Sequence, residues 1–325
     1  MSRPKVQVTR EVFDEALDLL RGHFDVVANQ SDKPFSAEEL AQALADKQGA
    51  LTVLTDKIDE TLLGRCPQLK AVCNIAVGYN NFDLKAMTAH GVLGTNTPGV
   101  LDAATADFTW ALILATARRL TEAEVWLRAG QWQGWKLKQF LGMDVQGATL
   151  GIIGMGRIGQ AVAKRARGFD MPVLYYNRTR LSPELERDCH ARHATLDELL
   201  AQSDIVTLHT PYSADSHHLI GAAQLEKMKK TAILIHAARG GVVDDAALIA
   251  ALANGAIAAA GMDVYEGEPK LKPDFLKLKN VVLAPHIASA TTSTRRNMAM
   301  LAARNLVAAL TGERPPNLLN PEALK

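Results

Sequence analysis

A chain of 325 residues is long enough for about two domains, each with its own core. Its 48% hydrophobic and 22% charged residues describe an ordinary soluble globular protein, and a net charge of +1 argues against a polyanion binder, which usually carries a basic stripe. The N-terminal stretch MSRPKVQVTREVFDE lacks the apolar core of a signal peptide, the most apolar runs are too short to span a membrane, and Cys66, Cys73 and Cys189 contain no C-x-x-C pair. A cytoplasmic protein with reduced thiols is expected, binding neither nucleic acid nor membrane.

In chain order, KVQVT, ALTVLT, AVCNIAV and GVLGTNT read as short buried strands. Helical patterns lie between them, among them SAEELAQALAD with Ser36 as its N-cap. DAATADFTWALILATARRL follows as a long helix with an apolar face. A second set of strands comes next: TLGIIG, PVLYYN, DIVTLH, TAILIHAA, AAGMDV and VVLAPH, separated by connections of helical length. This alternation argues for parallel sheets in an α/β protein. The last helix, TSTRRNMAMLAARNLVAALTG, ends near Gly312 with Pro315 and Pro316 beyond, and no strand follows it. It can therefore return to the domain of the first set.

GMGRIG (Gly154–Gly159) stands after an apolar strand and opens a helix, the context in which G-x-G-x-x-G binds a dinucleotide. Gly154 makes the turn, Gly156 lets backbone approach a pyrophosphate, and Gly159 permits close helix–strand packing. The next strand runs into YYNRTR. An acid is expected there to accept from the ribose hydroxyls and repel a 2′-phosphate. Asn177 removes that repulsion, and Arg178 and Arg180 offer forked donors to a dianionic phosphate. The cofactor expected is NADP, with NADPH preferred over NADH.

Open α/β sheets bind ligands beyond the carboxyl ends of their strands. Arg239, Glu268 and His286 all fall beyond such ends in the second half. As a set they suit reduction of a 2-oxo acid: Arg239 for the carboxylate and carbonyl, His286 for the proton, and Glu268 to orient and charge the imidazole.

The motifs GMGRIG, ARGGVVDDAALIAAL, AGMDVYEGEP, LAPHIASAT and VGYNNFD together resemble the D-isomer-specific 2-hydroxyacid dehydrogenase family, over nearly the whole chain. The branch they are most similar to is the bacterial glyoxylate/hydroxypyruvate reductases that also act on 2-ketogluconate. The resemblance implies two doubly wound Rossmann/flavodoxin-like parallel-sheet domains with an interdomain active-site cleft. It divides the chain into a discontinuous substrate domain, 1–102 with 291–325, and a dinucleotide domain, 103–290. It also implies a homodimer. Position by position, Arg239, Glu268 and His286 match the catalytic residues, and Val77 and Gly78 match the loop whose backbone N–H groups hold the substrate carboxylate. Arg157 and Ile158 match pyrophosphate contacts, Thr210 and Pro211 the adenosine wall, and Asp263 the carboxamide site. Thr105 and Ala237 are expected as further cofactor contacts, and Leu54, after strand ALTVL, is expected to line the substrate pocket. Trp135 or Phe140 is placed to reach the site across the dimer interface. Four positions depart from the family pattern: His236 for the common Asn, Ala288 for Gly, Thr105 for an apolar residue, and Asn80 for Asp.

A carboxylate clamp with few other charged side chains around it suits short uncharged tails, so hydroxypyruvate and glyoxylate are the expected substrates, with 2-ketogluconate accepted if the cleft is open to solvent. Two alternatives remain: an NADH-linked member acting on another acid, and a dinucleotide-sensing corepressor-like binding protein. No metal is expected, because His190 and His193 lie in a charged connecting segment and no carboxylate or cysteine completes a site with His217 and His218.

Overall fold

Runs such as AVC and LGII are apolar without alternation, because every position of these strands is buried. Such strands belong inside parallel sheets covered on both faces. The computed structural model describes residues 3–324. It divides into two compact units, Met1–Leu101 with Ala290–Lys325, and Asp102–Ser289.

The first unit is built on a five-stranded parallel sheet: β1 (Lys5–Val8), β2 (Asp25–Ala28), β3 (Gly49–Thr52), β4 (Ala71–Asn74) and β5 (Leu93–Thr95). Their order is β2-β1-β3-β4-β5, a doubly wound arrangement. The final helix, Thr292–Thr311, covers one face. Its Ala299, Ala302, Ala303 and Leu306 pack with Val6, Val8, Leu17 and Leu20 in one buried cluster. Small residues let the helix come close. At Gly49 a Cβ would stand 2.8 Å from methyls of both Leu306 and Leu310. Burying Leu306, which is fully buried, contributes roughly 1.5–3 kcal/mol. Gly312 ends the helix in the left-handed region, its N–H donating to the Ala308 carbonyl.

The second unit carries seven parallel strands: β6 (Leu150–Ile153), β7 (Val173–Tyr176), β8 (Ala191–His193), β9 (Ile205–Leu208), β10 (Ile233–His236), β11 (Ala259–Met262) and β12 (Val281–Leu283). Their order is β12-β11-β10-β9-β6-β7-β8, so the winding reverses between β6 and β9. Ligands of doubly wound sheets bind at that reversal, beyond the strand C-termini. The helix Asp102–Ala117 lies across β10, β11 and β12. Gly261 allows the contact, since a Cβ there would sit 2.6 Å from Thr116 Oγ1. On the same helix, Trp110 stacks on Phe169 and its indole N–H donates to the Val162 carbonyl, which fastens it to the helix behind the glycine loop.

Two strands escape the sequence reading. β2 (DVVA) and β8 (ARH) are edge strands, half in solvent, so neither needs an apolar run. The segment expected to be a mere connection around His193 is therefore β8, and the His193 ring meets Tyr175 edge-on at 5.2 Å. Among the described residues no helix is long and apolar enough to cross a membrane.

Candidate active site

The glycine loop follows β6 directly. Gly154 has φ +95°, and a Cβ there would lie 2.7 Å from the His209 and Thr210 backbone. At Gly159 a Cβ would fall 2.3 Å from the Gly154 carbonyl oxygen. Both glycines are thus demanded by close approach. Gly156, the N-cap of helix Arg157–Ala166, has open space where a Cβ would be. The backbone there is accessible to a ligand, at the positive end of the helix dipole, with Arg157 and Ile158 in the first turn. This cradle fits a dinucleotide pyrophosphate. Thr210 and Pro211 follow β9 beside it, Thr210 Oγ1 donating to the Ile153 carbonyl at 3.2 Å.

After β7, Asn177 Oδ1 accepts the Met155 N–H at 2.8 Å, so this side chain braces the glycine loop as well as leaving the position uncharged. The two arginines differ. Arg180 forks onto Glu186 at 2.8 and 2.9 Å, and the Tyr175 hydroxyl donates to the same carboxylate at 2.6 Å. Arg180 and then Tyr175 hold the Glu186 carboxyl down to about 2. The Arg178 side chain is 81% exposed and, among the described residues, meets only the similarly exposed Asp215, at 3.2 Å. Arg180 thus already has a partner within its own segment, whereas Arg178 makes one exposed contact.

Arg239, Glu268 and His286 come together from the loops after β10, β11 and β12. Glu268 Oε2 lies 2.7 Å from His286 Nδ1, and its Oε1 accepts the Tyr265 N–H at 2.8 Å. The Tyr265 hydroxyl donates to the Ala284 carbonyl at 2.9 Å, tying the Glu268 loop to the His286 loop. Gly240 seats the arginine turn, because a Cβ there would lie 1.9 Å from the Tyr265 carbonyl oxygen. Burial pulls the Arg239 guanidinium below its ordinary value, with Glu268 pulling the other way. Burial raises Glu268, but the hydrogen bond and charge of His286, with the Tyr265 N–H and the Arg239 charge, together outweigh it, so the carboxyl is held below its ordinary value. With Nδ1 engaged, Nε2 is the ring nitrogen left to exchange a proton.

His286 has φ +55°, an uncommon conformation for a non-glycine residue. Asp263 holds it there. Its backbone carbonyl accepts the His286 N–H, and its two carboxylate oxygens accept the N–H groups of Ile287 and Ala288, all at 2.8 Å. Burial nevertheless raises the Asp263 carboxyl against those bonds. This bracing role was not visible in the sequence. Ala288 lies outside the left-handed region, so its backbone does not demand glycine. His236, fully buried at the end of β10, is kept neutral by burial, its pKa pushed down to about 4. Ala237 is buried next to it, and Thr105 is buried on the helix Asp102–Ala117.

In the first unit, the Val77–Gly78 turn follows β4. Asn96 donates to the Val77 carbonyl at 2.8 Å and Asn74 to the Gly78 carbonyl at 3.0 Å, which fixes the turn. Leu54, after β3, is 38% exposed. Nothing in the structure singles out Asn80, which is exposed. Phe140 packs within its own segment, edge-on to Trp126 at 5.3 Å and under the Arg119 guanidinium, whereas Trp135 is 79% exposed.

A dinucleotide cradle at the reversal of a doubly wound sheet, in one unit with a half-buried arginine and a carboxylate-paired histidine, is the arrangement of nicotinamide-dependent dehydrogenases. Residues 110–288 match the family model described as D-isomer specific 2-hydroxyacid dehydrogenase, NAD binding domain. The chain belongs to that family and is an oxidoreductase using a nicotinamide dinucleotide. It is 49% identical to a glyoxylate reductase of Thermococcus gammatolerans, over 99% of this chain and 98% of that one. A glyoxylate reductase of Aeropyrum pernix is 48% identical, over 100% and 98%. Among solved structures, an NADPH-dependent glyoxylate/hydroxypyruvate reductase of Sinorhizobium meliloti, in complex with NADP and malonate, superposes with a TM-score of 0.88. It is 32% identical, covering 99% of this chain and 98% of that one.

Proposed function

We propose that the protein is an NADPH-dependent reductase of small 2-oxo acids, hydroxypyruvate and glyoxylate foremost and 2-ketogluconate besides, giving D-2-hydroxy acids. The observation that carries this reading is the 2.7 Å His286–Glu268 pair with the Arg239 turn packed against the same loop. Arg239 and the backbone N–H groups of Val77 and Gly78 take the substrate carboxylate. When bound, the reduced nicotinamide supplies the hydride that adds to substrate C2. His286 gives its Nε2 proton to the carbonyl oxygen as charge develops there, and Glu268 keeps the ring aligned and offsets the imidazolium charge. Gly154, Gly156, Arg157, Ile158 and Gly159 hold the pyrophosphate, Thr210 and Pro211 flank the adenosine, and Thr105, Ala237 and Asp263 serve the nicotinamide side. Arg178 turns from Asp215 to the 2′-phosphate. The names of the similar reductases support the substrate class, and the Sinorhizobium complex supports NADP.

The working form is proposed to be a homodimer. Leu120, Val125, Leu127, Trp132, Trp135 and Leu137 are all more than half exposed within one short segment. Large exposed apolar side chains concentrated in this way mark an interaction surface.

The test is His286→Ala. Turnover of hydroxypyruvate with NADPH should fall by about 10²–10⁴-fold, with NADPH binding, followed by nicotinamide fluorescence, unchanged. Wild-type turnover in the variant would overturn the assignment.

A further inference from the structure

Sequence spacing gives the adjacent His217 and His218 no third ligand. The fold supplies one. The loop after β9 brings both rings against the loop after β11, where one donor atom from each of His217, His218 and Glu266 lies within 4.8 Å of the others. We propose that these three residues bind a transition cation of the Zn²⁺ class, and that its occupancy slows turnover.

His218 is oriented for this role. Its Nδ1 faces the Asp244 carboxylate at 3.9 Å, while its Nε2 lies 3.0 Å from Glu266 Oε1. A carboxylate hydrogen-bonded to the outer nitrogen aligns metal-bound imidazoles, and Asp244 stands close enough to take that role after a small rotation. The His217 ring stacks on it with centroids 3.9 Å apart, and Tyr212 Oη stands 3.3 Å from His217 Nδ1. In a tetrahedral zinc site, bonds of about 2.0–2.2 Å put donors roughly 3.4 Å apart. The His218–Glu266 distance, now that of a hydrogen bond, has only a few tenths of an ångström to open to reach that spacing, and His217 is exposed, so its ring can rotate inward. The mounting is firm: the Glu266 N–H donates to Asp245 Oδ2 at 2.9 Å and the His218 N–H to the Gly241 carbonyl at 2.8 Å. Two imidazoles exclude Mg²⁺ and Ca²⁺, which take oxygen ligands, and two nearby carboxylates favour a dication.

The link to turnover is covalent. Glu266 precedes Gly267 and Glu268, so a cation that replaces the His218–Glu266 hydrogen bond and shifts the Glu266 carboxylate moves the loop aligning His286. The experiment is calorimetric titration of the intact, EDTA-treated protein with ZnCl₂, with MgCl₂ as control, alongside reductase activity at each concentration. The wild type should bind one equivalent of Zn²⁺, not Mg²⁺, and lose activity in step. His217→Ala should keep full activity without zinc, while zinc affinity and sensitivity to inhibition both weaken about tenfold or more. Unchanged zinc affinity in His217→Ala would overturn the proposal, as would equal binding of Mg²⁺ or full activity at saturating zinc.

Discussion

Arg178→Ala separates the two arginines that the sequence presents as a pair. In the structure Arg178 spends its charge on one exposed contact, the 3.2 Å bridge to Asp215, worth about 0–1 kcal/mol. Turning to a cofactor phosphate forfeits little of that. A charge-assisted hydrogen bond to a 2′-phosphate contributes about 1.5–3 kcal/mol, and at about 1.36 kcal/mol per decade its loss should lower kcat/KM with NADPH roughly 10- to 160-fold. NADH carries no 2′-phosphate, so its kcat/KM should stay within about twofold. Arg180→Ala should act differently. It removes the fork on Glu186, which also takes the Tyr175 hydroxyl, so its effect should fall on the local fold and on both cofactors alike. The assay is initial-rate loss of absorbance of the reduced nicotinamide with each cofactor, on the wild type and both variants. An equal loss with NADPH and NADH in Arg178→Ala, or none with either, would refute the reasoning.

Glu268→Gln should show an acid-dependent stability difference from the wild type. The folded carboxyl is held below its ordinary value, so its contribution is fully present above the unfolded pKa of about 4.3 and disappears as pH falls through the folded value. Urea unfolding at pH 7 and at successively lower pH should find the gap between the two proteins shrinking only below that point, and a gap independent of pH would count against the paired carboxylate. Gly159→Ala puts a Cβ 2.3 Å from the Gly154 carbonyl oxygen and should cost about 1–3 kcal/mol of stability, read from urea unfolding, together with weaker cofactor binding. A variant as stable as the wild type would mean the loop is not packed as described.

The sequence made most of this architecture legible where burial is one-sided or complete. The apolar strands at Leu150–Ile153, Ile205–Leu208 and Ile233–His236 could be little else, and the glycine loop was readable because Gly154 and Gly159 have no room for a side chain. β2 and β8 were not legible, since an edge strand can be polar and short. The three charged residues beyond the strand ends could be named, but not the parts that hold them. Asp263 bracing the His286 turn and Asn96 fixing Val77 are contacts between residues 19 to 25 apart in sequence, and the shorter-range pairs Asn74–Gly78 and Arg180–Glu186 depend on how their turns fold. Glu266 was likewise invisible as a partner of His218, 48 residues earlier, until the sheet set their loops side by side.

The claim that this site reduces a short, polar 2-oxo acid is tested most directly by one set of kcat/KM values with NADPH, for hydroxypyruvate, glyoxylate, 2-ketogluconate, pyruvate and phenylpyruvate. Hydroxypyruvate should exceed pyruvate, because its hydroxyl can pair with polar groups that a methyl leaves unsatisfied. Glyoxylate should also be turned over, and phenylpyruvate should rank last. Phenylpyruvate at the head of the series would mean a large apolar pocket and contradict the assignment.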